Sequence, residues 1–157
     1  MKVAYFLLLL VLFAGQTFGV TGTQQKYGQP KELSELPGMS ADGIKYMLGA
    51  HEVDGVKGVA YLNDVRKKMA KYGLKQTHHI MVTFDNVSSG EALEDGSVAV
   101  KVKGPDENIS EVIKLFGMEG SFGADITLKE KGMYQFEIGT LLPDGKKRTF
   151  LLHFENK

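Results

Sequence analysis

Thr77-His78-His79-Ile80-Met81-Val82-Thr83-Phe84 is the most strand-like stretch of this chain, β-branched and aromatic with no helix-forming period. A strand turns successive side chains to opposite faces, so Ile80, Val82 and Phe84 belong to one face together with His78. His79 and Met81 share the other. This reading predicts a strand buried on one side, and it places an imidazole and a thioether next to each other on the opposite side.

Outward from that strand the same period recurs. In Ser97 to Lys103, Val98, Val100 and Val102 alternate with Ala99, Lys101 and Lys103, the pattern of a strand with one buried face. Ala124 to Leu128 alternates again, and Tyr134, Phe136 and Ile138 mark another inward face. After Pro143-Asp144-Gly145, a strong turn, Phe150, Leu152 and Phe154 form the closing strand. Upstream, Ile44 to Val53 and Val56 to Leu62 flank Asp54-Gly55, a two-residue hairpin signal. Ile109 to Phe116 reads as either a strand or a short helix. The convincing helix spans 63–72: Asn63 caps it, Asp64 suits its positive end, and Gly73 closes the last turn. In that helix Val65, Met69 and Tyr72 share a face, which makes Met69 a packing residue. Short strands separated by Gly, Pro and Asp turns predict an all-β domain, an antiparallel sandwich or barrel of about seven or eight strands with one short helix. The closing strand pair around Pro143-Asp144-Gly145 resembles the terminal hairpin of an immunoglobulin-like antiparallel β-sandwich, which is the expected fold.

The N-terminus predicts the compartment. Lys2, the apolar run Val3 to Ala14 and the small-x-small triplet Thr17-Phe18-Gly19 form a secretory signal peptide over 1–19. The run is too short to span roughly 30 Å of hydrocarbon, so no membrane anchor is expected after cleavage. A Gln-, Gly- and Pro-containing lead-in covers 20–43 and the domain 44–157. The chain has no cysteine, which excludes disulfides, thiolate metal sites and cysteine nucleophiles. Its 19 basic and 19 acidic residues, a net charge of about −1 once Lys2 leaves with the signal peptide, give no reason to propose nucleic acid or an anionic membrane as a partner. A periplasmic or secreted protein fits this composition.

Without cysteine, the soft or borderline ligands are histidine and methionine, which favour copper over calcium or magnesium. The chain holds four histidines. Outside the histidine strand the candidate donors are His51, Met47, Met118, Met133 and His153. His51 reads as a solvated loop residue and His153 as a surface residue. Met118 lies in Gly117-Met118-Glu119-Gly120-Ser121-Phe122-Gly123, expected to be a glycine-rich loop that folds against the histidine strand. The predicted metal ligands are therefore His79, Met81 and Met118. His78 is a core histidine, a fourth ligand or an orienting residue. Hydrolase and phosphate-loop motifs are missing: there is no Gly-x-Ser-x-Gly, no His-Glu-x-x-His, and no lysine or helix after the glycine-rich stretch. A non-enzymatic protein is expected.

These residues carry a resemblance. Thr77 to Met81, Gly117 to Gly123, Gly123-Ala124-Asp125-Ile126-Thr127-Leu128 and the aromatic hairpin Tyr134 to Phe154 resemble small exported bacterial proteins that share a Thr-His-His-x-Met strand and a Met- and Gly-rich loop. The pattern is similar to YtkA-like domains and other periplasmic copper- or iron-binding sandwiches. The resemblance implies copper storage or delivery through His and Met ligands from a strand and a facing loop. This sequence departs from its fuller versions in offering Met118 alone in the loop, with Ser121 and Phe122 where a further ligand is expected. The alternative expectation is a structural or interaction module of the bacterial envelope that docks a protein partner and holds no metal.

Overall fold

A computed structural model describes residues 45–157; the expected signal peptide, lead-in and Ile44 lie outside the described residues. Eight antiparallel strands and one short helix follow in chain order: β1 Lys45–Val53, β2 Val56–Asp64, α1 Arg66–Ala70, β3 His78–Asn86, β4 Ser97–Lys103, β5 Ile113–Met118, β6 Ser121–Ile126, β7 Gly132–Leu141 and β8 Lys147–Asn156. The expectation of an antiparallel all-β domain is met. The strands hydrogen-bond as one continuous run in the order β1-β2-β3-β6-β5-β4-β7-β8.

β5 joins the two halves of that run. Its first residues pair with β4 (Val98 opposite Leu115, Val100 opposite Ile113) and its last residues pair with β6 (Phe116 opposite Gly123, Met118 opposite Ser121). The outer strands also approach one another. The Leu151 amide of β8 donates to His51 Nδ1 of β1 at 3.1 Å, and the Tyr46 and Phe154 rings stand 5.4 Å apart. The sheet is thus nearly closed on itself, which shields edges that would otherwise expose unpaired amides.

Alternation builds the interior. Ile80, Val82 and Phe84 from β3, Val98 and Val100 from β4, and Phe136, Ile138 and Phe150 from β7 and β8 are all buried. Phe84 stacks at tilted angles on Phe122 (5.9 Å) and Phe150 (5.2 Å), linking both halves of the sheet. Such pairs add to the area effect of burying aromatic rings. Gly58 on β2 makes room for this node, because a Cβ there would meet Phe150 Cδ1 at 2.9 Å.

The turns follow their chemistry. Asp54 and Gly55 both adopt positive φ, 46° and 73°, as the two-residue hairpin turn demands. Arg148, buried on β8, pairs with Asp144 and reaches the Asp54 carbonyl at 3.4 Å, tying two turns together. The hydrogen bonds that Arg148 and the Lys146 amide donate to Asp144 hold its carboxyl down to about 2.

Two expectations need correction. The helix is five residues rather than ten, because Asn63 and Asp64 stay in β2, paired with His79 and His78 of β3. Asp64 Oδ1 instead accepts the Arg66 amide at 3.0 Å, and Tyr72 is exposed rather than packed. The predicted close at Gly73 is met: its φ is 68°, and the Leu74 amide reaches back to the Met69 carbonyl at 3.1 Å, a left-handed helix stop. The second correction concerns Gly117 to Gly123, expected as a loop. Only Glu119 and Gly120 turn, with φ of 34° and 79°; the residues on either side are the ends of β5 and β6.

Candidate metal site

The β5–β6 hairpin determines where the site lies. Because β6 pairs with both β3 and β5, Gly123 has Met81 directly opposite on one side and Phe116 on the other. One row along, His79 faces Asp125; one row the other way, Met118 faces Ser121. Residues directly opposite and on the diagonal share a face, so Gly123 is the floor of a patch walled by His79, Met81, Phe116 and Met118.

His79 and Met118 converge over that floor. A Cβ at Gly123 would lie 2.8 Å from His79 Nε2 and 2.9 Å from the Met118 methyl carbon, Cε. The two atoms therefore lie within the sum of those distances of one another, over a space that any side chain at position 123 would fill. Glycine at this position leaves the space between the imidazole and the Met118 methyl open.

The imidazole is held in a definite orientation. His79 Nδ1 lies 2.7 Å from Asp125 Oδ1, and an ionised carboxylate only accepts, so Nδ1 is the nitrogen that donates. In the neutral ring Nε2 then carries the lone pair, and it is Nε2 that lies over Gly123. A carboxylate behind a histidine is the arrangement that fixes the tautomer and raises basicity at metal-binding imidazoles. Met81 Sδ is 3.8 Å from the Asn63 amide nitrogen, while Asn63 Oδ1 is buried without a partner.

His78 is not part of this patch. It is 1 % exposed on the inner face, with Thr77 Oγ1 at 2.9 Å from its Nδ1 and the Phe154 ring edge-on at 6.1 Å. Burial pushes its pKa below the ordinary 6.5; Asp64 pulls the other way and Arg66 adds to the lowering. The strand thus brings together His79, Met81 and Met118 and separates His78 from them. His51 also departs from its reading as a solvated loop residue: it is half-buried in β1, accepting from β8, with its ring edge-on to Phe150 at 6.1 Å. Met47, Met133 and His153 sit on β1, β7 and β8.

Sequence reasoning missed Asp125 and Asn63. Asp125 shares the alternation parity of Gly123, a signal present in the sequence but of no use until β6 is registered against β3. Asn63 was assigned to a helix cap, and nothing local marks it as a strand neighbour of His79.

Among the described residues no three His, Cys, Asp or Glu side chains converge as a metal-ligand group. What lies over Gly123 is the His79 imidazole and the Met118 side chain, with Met81 directly opposite in the register. Imidazole and thioether are donor types suited to a soft ion and unsuited to the oxygen cages of calcium or magnesium. Histidine and methionine are the residue types here that could hold such an ion.

No family model matches the chain, and no curated protein matches it. In structure it is similar to a crystallised DUF4426 family protein from Pseudomonas aeruginosa PAO1, with a TM-score of 0.50 at 17% identity over 68% of this chain and 92% of that one. This likeness concerns the fold alone.

Proposed function

We propose that this chain is a non-enzymatic protein of the bacterial envelope, periplasmic or secreted, that binds copper for storage or delivery. The observation that carries this reading is the convergence of His79 Nε2 and the Met118 side chain over the open floor at Gly123. His79 and Met118 are the principal ligands, and Met81, directly opposite Gly123, is the third. Bound there, Cu(I) would meet a neutral imidazole and thioethers, which favour the reduced ion. Asp125 orients the imidazole. The scaffold is best described as an immunoglobulin-like sandwich drawn almost closed, a reading supported by the two pairing blocks that β5 joins.

The alternative, an interaction module without metal, makes both histidines ordinary strand residues. His78 meets that description, buried and bonded to its neighbour Thr77. The metal reading is supported instead by His79, whose Nε2 lies over Gly123 beside the Met118 side chain.

Titration with Cu(I) against a competing chelator tests the proposal. The parent protein is expected to bind one equivalent at least about 100-fold more tightly than a His79→Ala, Met118→Ala double variant, a difference of roughly 2.7 kcal/mol. Gly123→Ala, which keeps every donor and fills the gap, is expected to weaken binding as well. A parent no tighter than the double variant overturns the reading.

A further inference from the structure

The segment after β2 carries a surface feature that the metal site does not use. Between positions 66 and 75 stand Arg66, Lys67, Lys68, Lys71 and Lys75, with no acidic residue among them. The chain as a whole balances 19 basic against 19 acidic residues, so this charge is concentrated rather than general. Arg66 is paired with Asp64. Among the described residues no ion pair engages Lys67, Lys68, Lys71 or Lys75.

Apolar surface lies within the same stretch. Tyr72 is 73% exposed and Leu74 51% exposed, flanked by Lys71 and Lys75. Both residues sit in the turn that Gly73 creates, where the backbone bonds from Gly73 to Ala70 and from Leu74 to Met69 hold the chain in shape. The segment is fixed at its base: Val65 and Met69 are half-buried, and the Val65 amide donates to the Thr77 carbonyl at 2.9 Å. This knob therefore presents an exposed aromatic and an exposed aliphatic side chain within a run of exposed lysines.

We propose that residues 66–75 dock this protein onto an anionic lipid surface. Lysines near such a surface each add attraction that falls off within about 10 Å at 0.1 M salt. Tyrosine suits the headgroup layer because its ring is apolar and its hydroxyl stays wet. A five-residue helix and a turn offer no groove for a shaped protein ligand, whereas a fluid anionic layer requires only charge density and an amphipathic tip. Asp64, at the base of the knob, follows Asn63, the strand partner of His79. Docking through the knob would thus hold the outer patch close to the lipid surface. The docking assignment itself stands on the knob's charge and exposure and does not depend on metal binding.

Co-sedimentation with vesicles tests it, using phosphatidylcholine alone and phosphatidylcholine with about one third phosphatidylglycerol. The full chain is compared with a Lys67→Glu, Lys68→Glu, Lys71→Glu, Lys75→Glu variant, so that residues 1–44 contribute equally to both. The parent is expected to partition at least roughly tenfold more strongly onto the anionic vesicles than the variant does, with the difference lost at about 0.5 M salt. A second variant, Tyr72→Ser with Leu74→Ser, is expected to weaken anionic binding while leaving every charge in place. Matching unfolding midpoints for all three proteins exclude misfolding as the cause. Equal partitioning by parent and charge variant, or no dependence on phosphatidylglycerol, overturns the proposal. Lysine-dependent binding to soluble polyglutamate with none to vesicles also overturns it, and would mark the knob as a protein-docking surface.

Discussion

The two faces of β3 are made by neighbouring residues and differ in almost every physical respect. On the inner face His78, Ile80, Val82 and Phe84 are buried against aromatic rings, and the one polar side chain among them leans on its neighbour Thr77. On the outer face His79 is held from behind by Asp125 and turns its other nitrogen over a glycine, where the Met118 side chain meets it. The inner histidine is buried with Nδ1 bonded to Thr77, whereas the outer one turns Nε2 over Gly123. Position in the pleat, rather than residue type, assigns their roles.

Substitutions can break this contrast from either side. The largest effect is expected from the inner face: Phe84→Ala removes the ring that joins Phe122 and Phe150 and should lower unfolding free energy by about 3–5 kcal/mol. Urea denaturation measures this, and the folded fraction should still bind Cu(I) like the parent. A Phe84→Ala protein that is as stable as the parent would mean that the core is not organised around this node.

Next comes the outer face alone. His79→Ala should weaken Cu(I) binding by roughly 100-fold, about 2.7 kcal/mol, with little change in the urea midpoint because the ring is partly exposed. If stability falls as far as affinity does, the faces are not independent. Asp125→Ala should cost less, roughly 10- to 100-fold in metal affinity, as removal of such a partner does elsewhere. Asp125→Asn, which can still accept from Nδ1, should recover part of that loss in the same titration. A failure of Asn to rescue would argue that the charge of Asp125, and not its hydrogen bond, matters.

The smallest effects concern protons. Burial lowers the folded-state pKa of His78 below 6.5, so the unfolded chain binds more protons in that window. Stability is then full above 6.5 and declines as the pH falls below it. Asp144 adds a second window with the usual carboxylate sign: held at about 2 against an ordinary 3.8, it contributes above 3.8 and loses that contribution as the pH falls towards 2. Thermal midpoints of parent and His78→Gln between pH 7 and pH 5 check the first window. A parent slope equal to that of the variant would remove His78 from the account.

Much of the fold is legible in the sequence for a physical reason. Alternating burial in β3, β4, β7 and β8 is a local property of the chain, and so is the positive-φ turn at Asp54-Gly55. The helix was overextended because Asn63 and Asp64 satisfy a capping pattern, yet their backbone groups are better satisfied by pairing with β3. The glycine-rich stretch misleads for a similar reason: Gly117, Gly120 and Gly123 suggest a loop until two strands bond across them. Sequence alternation by itself separated His78 from His79 and placed Met81 beside the latter. Only the tertiary structure set β6 between β3 and β5, because strand order is a long-range choice that no local pattern encodes. That pairing put Gly123 beneath His79 and Met118, brought Asp125 behind the imidazole, and turned two distant donors into one patch.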